Sequence, residues 1–243
     1  MDPRISRWLI SAAPLLCLLA ICFGQQPAKR NDRPQPPVST TPVQAREETK
    51  TSANATRYSY EFSQPQFMIS RIVIEHDALG RGKIAFERKG EPTPIVEPIE
   101  LSTSARGRIF GLWSELRFLD SDENYQASKN FAHLGTYRLS VDDGKRKRTA
   151  EFNWSNNTSA WSLTGEYRRV ADQAILIFEI TVARENQPLN APSLLNQLES
   201  LYNRNGLSDA QQLVPLLKDL TTDEHIPLIA RNKADRLLKK IEK

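Results

Sequence analysis

Residues 25–56, QQPAKRNDRPQPPVSTTPVQAREETKTSANAT, hold five prolines, no aromatic residue and no Leu, Ile, Phe or Met. A stretch so poor in apolar side chains buries too little surface to offset the entropy of ordering it. Any packed fold must therefore be built from the residues beyond it, and the sequence changes character at YSYEF, residues 58–62. The tract reads as a disordered tether with a mean span of about 30 Å, stiffened by its prolines.

The segment before the tether points to export. MDPRISR carries Arg4 and Arg7, and the run from Trp8 to Phe23 has no charge. A basic start followed by a short apolar run is the pattern of a secretory signal peptide. The run falls short of the roughly 20 apolar residues of a membrane-spanning helix, and Pro14 interrupts it. Three fates are open to it, in order of fit: cleavage after Gly24, lipid attachment at Cys22 within LAIC, or retention as an anchor. In the lipid reading Leu19 is well placed, but Ile21 stands where a small residue is usual. Each fate exports the rest of the chain, to the periplasm or beyond.

Both cysteines, Cys17 and Cys22, lie in this segment. If cleavage follows Gly24, the exported part has no disulfide and no thiolate nucleophile or metal ligand. The net charge of the whole chain, +4, is mild and no nucleic-acid signature.

From residue 57 onward the sequence predicts an α+β fold. FMISRIVIEH (67–76) and KIAFER (83–88) form a hairpin around Gly80 and Gly82. The proline-rich stretch 89–100 is an extended loop or an edge strand. Residues 101–120 form a helix capped by Ser102 or Thr103, with Ile109, Leu112, Trp113, Leu116 and Leu119 on one face. GTYRLSVDDGKRKRTAEFNW (135–154) is a second hairpin turning at Asp143-Gly144. Residues 156–186 form a long helix whose second half, ILIFEITV, reads equally as a strand. The expectation is two hairpins in one antiparallel sheet packed against two helices over 57–190, then a helical segment over 191–243. VPLLKDL and IPLIARN echo each other twelve residues apart within that segment, but one unit is no solenoid, and it reads as a helical appendage on the sheet.

Few residues carry chemical signals. Tyr125, Ser128 and Lys129 in YQASK match the dyad spacing of short-chain dehydrogenases. No Gly-x-Gly-x-x-Gly turn accompanies them, and LGRGK (79–83) lies in a hairpin, so the match transfers nothing. His76 lies between Glu75 and Asp77, but strand alternation sends it to the opposite face; His133 and His225 stand alone. Asp120, Asp122 and Glu123 lack the glycine and distal glutamate of a calcium loop. No serine-nucleophile motif is present, and no catalytic, cofactor or metal residue is assigned. Lys145, Arg146, Lys147 and Arg148 form the densest basic run, a candidate anion contact or a lysine-guarded sheet edge. Asn54, Asn153, Asn156 and Asn157 fit the N-glycosylation pattern, which matters only in a eukaryotic host.

The export segment, the tether and blocks such as FAHLGTYRL and PLIARNKADRLL resemble exported bacterial proteins without assigned activity. That resemblance implies an envelope location and carries no site. The function expected is a non-catalytic protein- or surface-binding module of the cell envelope. Its partner is another envelope protein or an anionic surface, not nucleic acid, and it touches membrane only through its N-terminus. The alternatives are an exported hydrolase with an unmarked site, which needs histidine and carboxylates converging in a pocket, and a small-ligand module using the cleft between sheet and helix.

Overall fold

The computed structural model describes residues 55–243. The fold is α+β: one antiparallel sheet with helices on its inner face, and a helical C-terminal part. The strands are β1 (Arg57–Ser63), β2 (Ile69–Asp77), β3 (Arg81–Arg88), β4 (Ile95–Glu100), β5 (Thr136–Asp142) and β6 (Lys147–Phe152), in spatial order β4-β3-β2-β1-β5-β6. Helix α1 (Thr103–Glu115) connects β4 to β5, and α2 (Thr158–Asn186), α3 (Ala191–Asn203), α4 (Val214–Thr222) and α5 (Leu228–Ile241) come after β6.

Both expected hairpins are present, as β2–β3 and β5–β6. They do not pair with each other. β1 lies between them, bonded to β2 on one side and β5 on the other. The proline-rich stretch supplies the edge strand β4. The first hairpin also starts later than expected, because β2 begins at Ile69 and leaves Phe67 and Met68 in the preceding turn.

Strand alternation makes the two faces chemically distinct. Tyr60, Phe62, Ile72, Ile74, Ile84, Phe86, Tyr137, Leu139 and Val141 are buried beneath the helices. The outer face is a lattice of charge. Glu61 accepts from Arg71 (2.8 Å) and Arg138 (3.2 Å), which also pair with Glu87 (3.0 Å) and Glu151 (2.8 Å). Each exposed pair contributes at most about 1 kcal/mol. Their larger effect is on register, since a one-residue slip would bury these charges.

Ser102 caps α1 by accepting from the Ala105 amide (3.2 Å). The helix buries Ala105, Ile109 and Trp113 and ends at Glu115, short of the expected 120. Arg117, with φ +42°, breaks it, and a single 3-10 turn comes next at Phe118–Asp120. Gly135 precedes β5 at φ +106°, where a Cβ would lie 2.4 Å from the Phe62 ring. Only glycine suits both the angle and the space.

The stretch ILIFEITV is helical. α2 runs for 29 residues from an Asn157 cap because it is buried on two sides. Leu163, Tyr167, Val170 and Ala171 meet the sheet, while Leu176 and Ile180 join a second core with α3, α4 and α5. Tertiary burial overrides the strand preference of its β-branched residues. The C-terminal helices therefore build their core against α2, not as an appendage on the sheet. The residues TTDE lie before α5. Thr221 and Thr222 end α4, and Asp223 sits in the connecting turn, where its carboxylate pairs with Arg184 and accepts the His225 amide. Lys239 and Lys240 lie in the last turn of α5, where the helix dipole favours positive charge.

Candidate functional site

The turn between β1 and β2 sets the geometry of the main groove. Gln64 is buried, and its amide nitrogen donates to the carbonyls of His133 (2.7 Å) and Ala132 (3.2 Å). Its backbone amide donates to the Ser70 carbonyl (2.8 Å). The pinned turn pushes Phe67 and Met68 outward, and they are 39% and 77% exposed. Behind them lies a groove of about 670 Å³ between the sheet, α2 and α3. Tyr60, Phe62 and Ile72 form its floor, Ile175 and Leu176 one wall, and Gln197, Ser200 and Leu201 the other. Met68, Ile69 and Glu179 are shared with an adjoining recess of about 570 Å³ towards Leu194.

Four charged side chains line the groove: Arg168, Asp172, Arg204 and Glu179, the last paired with Arg88 (3.3 Å). The Arg168 guanidinium lies 5.6 Å above the Phe62 ring and donates to the Tyr137 hydroxyl (3.5 Å). Asp172 stands one helical turn later, and Arg204 comes from the end of α3. Burial raises the Asp172 carboxyl above its ordinary range, against the opposing pull of Arg168 and Arg204.

Beyond Arg168 a row of aromatic rings continues the apolar surface. Neighbouring centroids are 6.1 Å apart for Phe67–Phe62, 5.3 Å for Phe62–Tyr137, 5.9 Å for Tyr137–Trp161, 4.6 Å for Trp161–Trp154 and 5.3 Å for Trp154–Phe131. Trp161 is 37% exposed, and Trp154 and Phe131 are half-buried. Large rings at a wet surface are typical anchors of binding interfaces.

A second cluster is buried under α1. The Trp113 indole N–H donates to the Tyr167 hydroxyl (3.0 Å), which donates to His76 Nε2 (2.7 Å), and His76 Nδ1–H donates to the Asp77 carbonyl (2.8 Å). This tautomer gives every hydrogen an acceptor. Burial holds the His76 imidazole below its usual pKa despite the raising effect of Asp77, and pushes the Tyr167 hydroxyl up. No carboxylate or nucleophile joins the chain of bonds, so it fastens β2 to α1 and α2.

The residues singled out in the sequence are scattered. Tyr125 is buried in irregular chain, Ser128 and Lys129 are exposed, and no helix puts them on one face. His133 and His225 are exposed. Asp120 pairs with Arg146, and Glu123 accepts from the Asn157 side chain (2.9 Å). No group of three or more His, Cys, Asp or Glu side chains converges among the described residues. In the basic run, Arg146 is taken up by Asp120 and Asp143. Arg148 donates to the Phe118 (2.7 Å) and Glu123 (2.6 Å) carbonyls and covers the Phe118 and Tyr125 rings. Lys145 and Lys147 point to solvent. Asn153 binds Gln126, Asn130 and Phe131, Asn157 caps α2, and Asn156 is exposed. Cys22 and Asn54 lie outside the described residues, as do the export segment and tether.

Sequence reasoning misses Phe67, Met68, Arg168, Asp172 and Arg204 as a group. One signal is present: Asp172 interrupts the apolar side of α2 between Ala171 and Ile175. Nothing local in the sequence brings α3 beside it. No protein-family model matches the chain, and no curated protein matches it.

Proposed function

We propose that this is an exported, non-catalytic binding module whose site is the groove between the sheet, α2 and α3. One observation carries the reading: an uncovered apolar lip, Phe67 and Met68, borders a preformed apolar groove of about 670 Å³. Ligand sites are generally concave, mostly apolar and of about 300–1,000 Å³, with a few placed polar groups. The adjoining aromatic row widens the surface available to a partner in the envelope.

The sequence holds two methionines, Met1 and Met68. Both cores close within residues 48–243, so that fragment, labelled with methyl-¹³C methionine, reports the groove through Met68. Dodecyl maltoside below its micellar concentration shifts that methyl resonance in a saturable way, and Phe67→Glu weakens the effect. A resonance that does not move with the neutral chain or with charged amphiphiles removes the groove as a binding site.

Export belongs to the same proposal and rests on the uncharged run from Trp8 to Phe23. Intact mass and membrane partitioning of the mature protein, wild type and Cys22→Ser, test it. A chain starting at Gln25 in the soluble fraction means a free exported protein. A lipid-sized increment lost in the variant means a membrane-tethered one. A full-length cytoplasmic chain overturns export.

A further inference from the structure

We infer that the groove holds an anionic amphiphile, its apolar chain along Phe62, Ile72 and Met68 and its carboxylate or phosphate head between Arg168 and Arg204. The inference rests on the groove being the binding site and adds the chemistry of what it binds.

Charge distribution carries the argument. The two arginines come from different helices and line the same groove. Neither has a carboxylate oxygen within 4.0 Å among the described residues. In the adjoining recess the pattern is different, since Arg88 pairs with Glu179 (3.3 Å) and Glu91 (3.7 Å). Of the two acids lining the groove, Glu179 is taken up by Arg88, which leaves Asp172 alone against Arg168 and Arg204, so that end of the groove keeps one net positive charge. A monoanion completes neutrality there, whereas a cation adds to the excess. Arg168 is also held in place, by the Phe62 face beneath it and the Tyr137 hydroxyl beside it. A guanidinium already oriented loses less freedom on gripping a planar carboxylate or a phosphate. Away from the arginines the floor and one wall are apolar, through Tyr60, Phe62, Ile72, Ile175 and Leu176, and Met68 and Ile69 carry that surface to the edge of the next recess, a path for an alkyl chain. The head contributes a charge-assisted contact and the chain contributes buried apolar area.

The test uses the Met68 methyl resonance of residues 48–243 and four probes of one chain length: dodecanoate, dodecyl phosphate, dodecyltrimethylammonium and dodecyl maltoside, all below micellar concentration. The two anions bind at least roughly tenfold more tightly than the cation, a difference of about 1.4 kcal/mol. Arg168→Gln and Arg204→Gln each erase most of that preference, read as the ratio of anion to cation affinity within each variant. Both side chains are exposed, so the variants keep the fold, checked by thermal melting. Asp172→Asn, which removes the opposing charge, strengthens anion binding. Dodecanoate against dodecyl phosphate decides between a carboxylate and a phosphate head. Equal binding of all four probes overturns the anionic head while the groove stands as a site for apolar chains. Silence from all four overturns both.

Discussion

The two cores of this molecule are made of different material. The sheet core holds 22 buried residues, nine of them aromatic: Tyr60, Phe62, Phe86, Trp113, Phe118, Tyr125, Tyr137, Phe152 and Tyr167. The helical core holds fifteen, all Leu, Ile or Ala. Flat rings suit the wide space between a twisted sheet and crossing helices, where stacked and edge-on pairs hold defined distances. Short aliphatic chains let helices approach closely and interlock. The difference extends to polarity. The sheet core buries hydrogen-bonding groups, His76 and the Tyr167 hydroxyl, that must find one another, whereas the fifteen side chains of the helical core have no polar atom, and the buried carboxylate near them, Asp223, sits in the turn before α5. The first is specified by pairing and the second by volume.

Breaking the volume-specified side should have the largest effect. Leu198 is fully buried in α3, and Leu198→Ala should cost about 2–5 kcal/mol through lost burial and the cavity left behind. The chain offers two separable probes. Tryptophans occur at residues 8, 113, 154 and 161 and never in the helical part, so fluorescence reports the sheet half and far-ultraviolet circular dichroism the helices. Coincident denaturation curves in the variant would show α2 coupling the cores into one cooperative unit. A drop confined to dichroism would show two units.

Breaking the pairing-specified side costs less. Tyr167→Phe keeps the ring and removes the hydroxyl between Trp113 Nε1 and His76 Nε2. The two buried nitrogens left unpartnered should cost about 1–3 kcal/mol in urea denaturation. The same cluster gives the sheet half a pH response. Burial lowers the His76 pKa from its ordinary 6.5, so the folded state disfavours the proton more than the unfolded state does. The imidazole's contribution is whole above pH 6.5 and is lost as pH falls from there towards the folded value. Denaturation midpoints between pH 7.5 and 5 should fall, and His76→Phe should flatten that fall; an unchanged slope in the variant would assign the response to another group.

The same contrast explains what can be read from the sequence. The hairpins are legible because their signals are local: Gly80, Asp143-Gly144 and alternating apolar residues. β1 escapes assignment as a strand, although Tyr58, Tyr60 and Phe62 alternate, because no glycine turn joins it to β2 and its other partner, β5, lies over seventy residues away. The second half of α2 is ambiguous in the sequence because its outcome depends on Leu176 and Ile180 meeting helices that come later. The candidate site is the least legible part. Arg168 and Asp172 are ordinary helix residues until the end of α3 brings Arg204 to the same groove.

α2 alone belongs to both cores. Its 29 residues span about 43 Å at 1.5 Å per residue, and neither half can be removed without stripping one of its sides. A shortened chain ending before Ala191 would expose Leu176 and Ile180, an apolar stripe on a helix still held to the sheet. Such a product would be sticky and open to degradation. Cutting away the C-terminal helices would therefore leave the sheet half with an unfinished side of its own.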